Sequence, residues 1–330
     1  MGQPVISSSQ MLQWVKSDFA DTYKRQVASL EPRLSTIMNL SVPSSKLIEH
    51  YGYYLAAPHM KIWRNGETIS SKAFSSVSFS VQNYNWGIRV EWNENDRRFD
   101  QTQTIRDRAA DAGRSAAMLK ERAAFQILTG ATDNDLLPAV PNAPDGVGFF
   151  SATDGSGANR FGVSSGNLLA GSGVASPTAI RTDFWNAVEQ FKLFQDGEGQ
   201  PYWEPSMLDS TGFTIICGAA NEQVFREAFA QRVTQGSAAA TNSVSNIILD
   251  AGVSVDIWTT QRISDNDWFV FVKNAPKKAL FCQVAKEPEE KWATMDNSDS
   301  VRDSRQEYYQ VDSIYGFGLS LPVSAMKVNN

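Results

Sequence analysis

Only two histidines, His50 and His59, and two cysteines, Cys217 and Cys282, occur in the 330 residues. A zinc centre needs several nitrogen or sulfur ligands at close spacing, and these four are scattered. The cysteines lie in apolar, strand-like runs and read as buried free thiols, which fits a reducing cytosol better than a disulfide framework. No run of 18 apolar residues is present, so no membrane span is expected. No basic region followed by an apolar core stands near the start, so no secretion signal is expected either. Met1-Gly2 resembles a myristoylation start, but Ile6 stands where Ser or Thr is required. There is no Lys/Arg run, and 30 basic against 36 acidic residues leave a net charge of −6. That balance excludes a dedicated nucleic-acid grip while allowing a surface that merely faces nucleic acid. No phosphate-cradling glycine loop and no internal repeat of fixed period are present.

The remaining chemistry is equally thin. Gly162-Val163-Ser164-Ser165-Gly166 matches a nucleophile elbow, which needs a strand before it, a helix after it and a later histidine. Neither flank fits, and both histidines lie upstream. Asp133-Asn134-Asp135 and Asp265-Asn266-Asp267 read as acidic turns, because a calcium loop needs a longer ligand series and a closing Glu. Glu287, Glu289 and Glu290 read as a solvated cluster. No catalytic, metal or cofactor-binding residue, and no cofactor, is expected.

What the chain does have is pattern. Hydrophobic content of 42% with 20% charged residues is that of a folded protein, long enough for about two domains. Val77, Phe79 and Val81 alternate with serines, and Tyr84, Trp86, Ile88, Val90 and Trp92 alternate on the opposite parity, each with the period of a strand. A two-residue turn at Gln82-Asn83 would make these one hairpin, pairing Val81 with Tyr84, Phe79 with Trp86 and Val77 with Ile88. Lys61 to Ile69 offers a third strand. Such a hairpin is either half-buried in its own domain's sheet or an arm whose apolar face rests on a neighbouring copy. A long helix follows, capped by Asp100 or Thr102. Its stripe of Ile105, Ala109, Ala112, Ala116, Leu119, Ala123 and Ile127 ends at Gly130.

Elsewhere, residues 1–9 read as a Ser-rich tail, and Gln10 to Ala28 as an amphipathic helix with Pro32 just past its end. Ser35 to Pro58 reads as a wrapping segment. Residues 131–176, with Phe149-Phe150 as apolar anchor, read as a mostly irregular connection. Pro177 opens a helix carrying Ile180, Phe184, Trp185, Val188, Phe191 and Phe194. An α/β-like region follows: a strand Phe213 to Cys217, a helix capped by Asn221, a small-residue loop over Thr234 to Ser245, then strands Ile247 to Leu249, Val253 to Trp258 and Trp268 to Val272. Lys277 to Val284 reads as another strand, Lys286 to Arg305 as a charged, turn-rich excursion anchored by Trp292, and Tyr308 to Leu321 as a closing strand.

The order of these segments resembles the major head proteins of Mu-type tailed phages, within the Hong Kong 97-type capsid fold. The resemblance is carried by Met60-Lys61-Ile62-Trp63, by Ile88-Arg89-Val90-Glu91-Trp92 and by Ala116-Ala117-Met118-Leu119-Lys120-Glu121. Further along it rests on Gly148-Phe149-Phe150-Ser151-Ala152-Thr153-Asp154, which lacks the family's His-Pro ending, then on Ser298-Asp299-Ser300-Val301-Arg302-Asp303 and Val311-Asp312-Ser313-Ile314-Tyr315-Gly316-Phe317-Gly318. It implies an α+β fold in which residues 1–60 are an N-terminal arm and 61–99 an extended hairpin loop lying across the adjacent subunit. Residues 100–180 would be a peripheral domain with a spine helix, 181–275 an axial domain, and 276–330 return strands of the peripheral domain.

The implied function is a structural major capsid protein. Its copies would form hexamers and pentamers that close into an icosahedral head around phage double-stranded DNA, held without sequence-specific binding. The implied partners are the chain itself, with possible scaffold, portal and decoration proteins and no membrane. The implied location is the virion, after assembly in the bacterial host cytoplasm. Phe79, Trp86, Ile88, Arg64, Lys72 and Trp292 are the expected inter-subunit contacts. The family's lysine–asparagine cross-link is not carried over, because Lys72 falls in the corresponding region without the rest of a motif. Two alternatives are a same-fold bacterial compartment enclosing protein cargo and a serine hydrolase built on Ser164.

Overall fold

The computed structural model describes residues 6–54, 62, 64, 76–99, 103–131, 136–230, 233–235, 243–245 and 253–330. Helix α1 (Ser8–Ile37) starts on a capping box, in which the Ser7 hydroxyl accepts from the Gln10 amide and the Gln10 side chain accepts from the Ser7 amide, both at 3.2 Å. The expected tail therefore ends by Ser7, and the helix outruns its expected end by nine residues, through Pro32. Pro32 is exposed, and burial of Leu34 and Ile37 holds the last turn in place despite the missing N–H.

Strand β1 (Met38–Pro43) follows, then β2 (Ile48–Tyr54), β3 (Ser76–Gln82) and β4 (Tyr84–Asn93). The strands anticipated around Phe79 and Trp86 are present, but they do not form a hairpin with each other. β3 pairs antiparallel with β2, from Ile48↔Gln82 to Tyr54↔Ser76. β4 leaves for another sheet and pairs with β12 (Gln306–Leu319), from Tyr84↔Tyr315 to Asn93↔Gln306. The parity switch marks a crossing between sheets at Asn83 rather than a tight turn. Alternation reports which side of a strand is buried and is silent about its neighbour. The third strand proposed over Lys61 to Ile69 lies outside the described residues.

Short helix α2 (Glu94–Phe99) leads to α3 (Thr104–Ala117) and α4 (Leu119–Thr129). These two are the anticipated long helix, joined through Met118, whose amide donates to Arg114 O at 3.1 Å and whose carbonyl accepts from Arg122 N at 2.9 Å. Gly130 closes the helix in the left-handed region (φ 68°), as expected of a C′ glycine. The start differs: Gln103 occupies the cap position with φ 60° and no capping bond from its side chain, while Asp100 and Thr102 lie outside the described residues. α1 packs on α3 at Gly113, where a Cβ would stand 2.5 Å from the Phe19 carbonyl oxygen.

Residues 136–176 have little regular structure beyond β5 (Leu168–Ala170), yet they are tightly organised. The organiser is Arg160, buried to 1% exposure. Its Nε and Nη2 reach Asp145 at 2.7 and 3.0 Å, and its Nη1 donates to Phe149 O at 2.8 Å and Asn167 Oδ1 at 2.9 Å.

α5 (Pro177–Leu193) opens with Pro177 behind a Ser176 cap, as expected. α6 (Pro205–Thr211), β6 (Phe213–Gly218), α7 (Glu222–Ala230), the pair β7 (Val233–Gln235) and β8 (Ser243–Ser245), β9 (Val255–Thr260) and β10 (Trp268–Val272) follow. The strand proposed over Ile247 to Leu249 lies outside the described residues. A five-stranded sheet runs β5-β13-β10-β6-β9, taking in the unanticipated β13 (Ala325–Asn329). One face packs Phe213, Ile215 and Val270 against Phe184, Phe191 and Phe225 of α5 and α7. The other packs Ile216, Phe269 and Phe271 against Phe125 and Leu128 of α4 and Leu280 and Phe317 of the next sheet.

That next sheet runs β1-β11-β12-β4. β11 (Leu280–Ala293) extends nine residues past the expected Val284, so the first part of the supposed turn-rich excursion, up to Ala293, is strand. Lys286 to Trp292 read as loop because nearly all their side chains point to solvent from an edge that β1 covers only as far as Val284. Charges and Pro288 on an uncovered edge protect it from unwanted pairing. Helix α8 (Asp299–Ser304) spans the end of the β11/β12 hairpin. Residues 276–330 thus divide: β11 and β12 belong to the four-stranded sheet, and β13 to the five-stranded one.

Candidate assembly surfaces

The two-stranded ribbon β2/β3 is tied to the four-stranded sheet by a buried polar knot. Gln283, fully buried, accepts from the Tyr51 hydroxyl at 2.8 Å and donates to Asn83 Oδ1 at 2.9 Å and Val81 O at 3.2 Å. Asn83 Nδ2 donates onward to Ser44 Oγ at 2.8 Å and Lys46 O at 2.7 Å. Every polar atom of the Asn83 amide is used, which is what lets a polar side chain sit buried at the crossing. Gly316 makes room, since a Cβ there would stand 2.6 Å from Gln283 Nε2 and 2.7 Å from Gln82 O. Tyr51 and Phe79 stack at 5.5 Å, and both meet Phe281 edge-on. The ribbon is therefore fixed at its base, with exposed Leu47 and Ile48 beside it.

Phe79 lies half-buried in that base. Trp86 and Ile88 lie half-buried on β4, where the Trp86 indole donates to Tyr315 O at 3.1 Å. With Tyr23, Leu119, Pro288 and Val311 they line a pocket of about 160 Å³. Trp292 is 41% exposed on the outer part of β11, covered on one side by the Lys16 ammonium. Arg64 is exposed, and Lys72 lies outside the described residues. The four expected contact residues that sit on described strands do not converge: Phe79 is at the ribbon's base, Trp86 and Ile88 are on β4, and Trp292 is on the far hairpin.

Two anchors of this surface escaped sequence reading. Arg97 pairs with Glu307 (Nε to Oε2, 3.3 Å), and the same oxygen accepts from the Trp92 indole at 2.7 Å. Arg97 Nη1 also donates to Ile6 O, tying the start of the described chain to the hairpin's end. Lys286 and Lys291 both meet Asp312, which holds its carboxyl below the usual carboxylate range. The Trp92–Glu307 contact joins residues 215 apart and carries no spacing signal, while Lys286 and Lys291 meet Asp312 only because β11 pairs with β12.

No catalytic constellation assembles elsewhere among the described residues. Ser164 is exposed, follows a short 3-10 turn instead of a strand, and the one described histidine, His50, stands exposed on β2. No group of three or more metal-ligating side chains occurs among the described residues. Cys217 and Cys282 are buried and unpaired, and burial pushes both thiols up to about 12.

A family model described as phage capsid protein matches residues 78–321. A search of curated proteins finds no match. Among solved structures the chain is similar to the capsid of the cyanophage P-SCSP1u, at 12% identity over 89% of this chain and 86% of that one, with a TM-score of 0.57. It is also similar to the mature capsid of bacteriophage PhiM1, at 14% identity over 89% and 85%, with a TM-score of 0.53. The capsid of an empty GTA particle gives 10% identity over 89% and 88%, with a TM-score of 0.52. At such identities the likeness establishes the fold, an α+β capsid fold of the Hong Kong 97 type.

Proposed function

This chain belongs to the phage capsid protein family, and from that premise we propose how its surfaces build a shell. It is a structural major capsid protein, not an enzyme, and it self-assembles into a capsid shell as part of the virion. In our reading the copies form hexamers and pentamers, assembled in the host cytoplasm, around double-stranded DNA that is held without sequence-specific contacts. Scaffold, portal and decoration proteins are further partners of that reading, and a Mu-type head is its narrowest form. The compartment and hydrolase readings are not favoured, since the family match is to phage capsids and Ser164 lacks its flanks.

The ribbon β2/β3 is our candidate for the extended loop, shifting that loop from 61–99 to about 48–82. The domain map then keeps 1–47 of the expected 1–60 as arm, 100–180 and the return strands β11 and β12 as peripheral domain, and 181–275 as axial domain. Phe79, Trp86, Ile88, Arg64, Lys72 and Trp292 remain proposed contacts. The observation that carries the reading is the family match across residues 78–321, which takes in the long helix and every strand of the two sheets except β1 and β13. Closure of a shell requires the same patches to meet head to tail around a ring. Electron microscopy of the purified chain is expected to show capsomers or closed shells. A product that stays monomeric at every concentration and salt would overturn it.

A further inference from the structure

Where the long helix packs on β4 and β12, the packing leaves a gap. It is the cavity of about 160 Å³ beside Trp86 and Ile88. Small residues make it. The helix's apolar stripe presents only Ala116 here, and Gly87 on β4 has no side chain; a Cβ there would meet nothing within 4 Å except Val311 O, at 3.9 Å. The walls come from α1, α3, α4, β4, β11 and β12, and those on the sheet are fixed. Val311 and Ser313 of β12 pair with Ile88 and Trp86 of β4 across the ladder. The Trp86 indole donates to Tyr315 O at 3.1 Å and meets Phe317 and Tyr84 edge-on, at 6.0 and 6.4 Å. Its single donor is spent inside the chain, so it offers the cavity only its ring. Packed interiors hold few voids larger than a water molecule, and this one exceeds that size.

The volume admits one ring, since a cavity of about 150 Å³ is enough for benzene. Tyr23, Trp86 and Tyr315 are in the lining, and aromatic rings favour other rings set edge-on or offset. Ser115 and Ser313 add hydroxyls, which can donate or accept. The lining has no carboxylate, and its one guanidinium, Arg122, is already engaged in another interaction. The cavity therefore offers ring surface and hydroxyls, and no spare charge. We propose that it is a binding site for a neutral, single-ring aromatic molecule carrying one hydroxyl. Such a molecule would touch helices and sheet together and brace the long helix against β4 and β12. The inference makes no use of the capsid reading, which its failure would leave standing.

The test uses the unassembled full-length chain with phenol as probe, followed by saturation-transfer NMR and calorimetry. Phenol should saturate with a Kd of about 1 mM or tighter, within reach of so small a ligand. Benzoate, which brings a charge, and cyclohexanol, which lacks the aromatic face, should each bind more weakly than phenol. Ala116→Leu puts a branched side chain into the space and should weaken phenol binding roughly tenfold or more, with circular dichroism unchanged. Should that variant fail to fold, Ile88→Ala carries the test. It widens the cavity at a half-buried position and should raise the affinity of 2-naphthol relative to phenol by roughly fivefold. The inference is overturned if phenol shows no saturable binding to the wild-type chain, the outcome expected of a gap that holds only water. It is equally overturned if folded Ala116→Leu keeps the wild-type affinity, if Ile88→Ala leaves the ratio unchanged, or if benzoate or cyclohexanol binds as tightly as phenol.

Discussion

Replacing Arg160 with methionine keeps much of the side chain's length and removes its charge. Asp145, whose side chain is only 10% exposed, would then hold a negative charge with no counterion. Two N–H bonds to it disappear, and Phe149 O and Asn167 Oδ1 lose a donor each. Deleting one member of a buried ion pair costs about 3–5 kcal/mol. Burial itself pulls the Arg160 pKa down and Asp145 opposes that pull, so part of the pair's attraction is already spent on desolvation. The loss should therefore sit near 3–4 kcal/mol, a large share of the 5–15 kcal/mol that holds typical domains.

The assay is denaturant unfolding of unassembled chain at one fixed concentration, with amide exchange followed across residues 143–170. Fixed concentration matters because assembly would add its own stabilisation. The midpoint should fall and exchange should speed first in that segment. The double variant Arg160→Met, Asp145→Leu should recover part of the loss, since the orphaned charge goes too. A single variant within about 1 kcal/mol of wild type would refute the claim that Arg160 organises the irregular segment.

Gly113→Ala should gain up to ~1 kcal/mol of helix propensity yet destabilise overall by about 1–2 kcal/mol, because its Cβ meets the Phe19 carbonyl and two helices must part; a thermal melt decides the sign. Trp292→Ala should cost the unassembled chain under about 1 kcal/mol, since its indole meets mainly Lys16, while shell yield by electron microscopy should fall if this indole is an inter-subunit contact. Cys217 and Cys282 should resist alkylation near neutral pH until denaturant is added, as thiols pushed up to about 12 carry almost no thiolate. Lys286 and Lys291 lower Asp312, the Ser156 hydroxyl lowers Asp154, and the Ser45 amide lowers Glu49. Each is lowered on folding, so its stabilisation is complete above the unfolded value and lost as pH falls through the folded one. Titration followed by intrinsic fluorescence should show these contributions intact at pH 6 and fading only below about pH 4.

Much of the chain was legible where a local signal existed. β10 and α5 begin where their residues say they should, because Trp268 opens an unbroken apolar run and Pro177 follows a Ser cap. Gly130 stops the long helix for the same kind of local reason. The charged stretch Lys286 to Trp292 misled because polarity on an edge strand looks like polarity in a loop. Pro32 misled because the penalty for an internal proline was outweighed by Leu34 and Ile37, whose buried partners lie on distant elements.

Alternation, caps and punctuation were enough, without any coordinates, to place strands at Phe79 and Trp86 and to foresee the long helix. Only the folded chain decided that these two strands part company at Asn83, that β13 joins the five-stranded sheet, and that Arg160 and Arg97 meet their partners as they do. The reason is one of range. Periodicity records how each residue divides its own faces between core and water, whereas strand partners and ion pairs are chosen between segments separated by up to hundreds of residues, by fit that no single segment encodes.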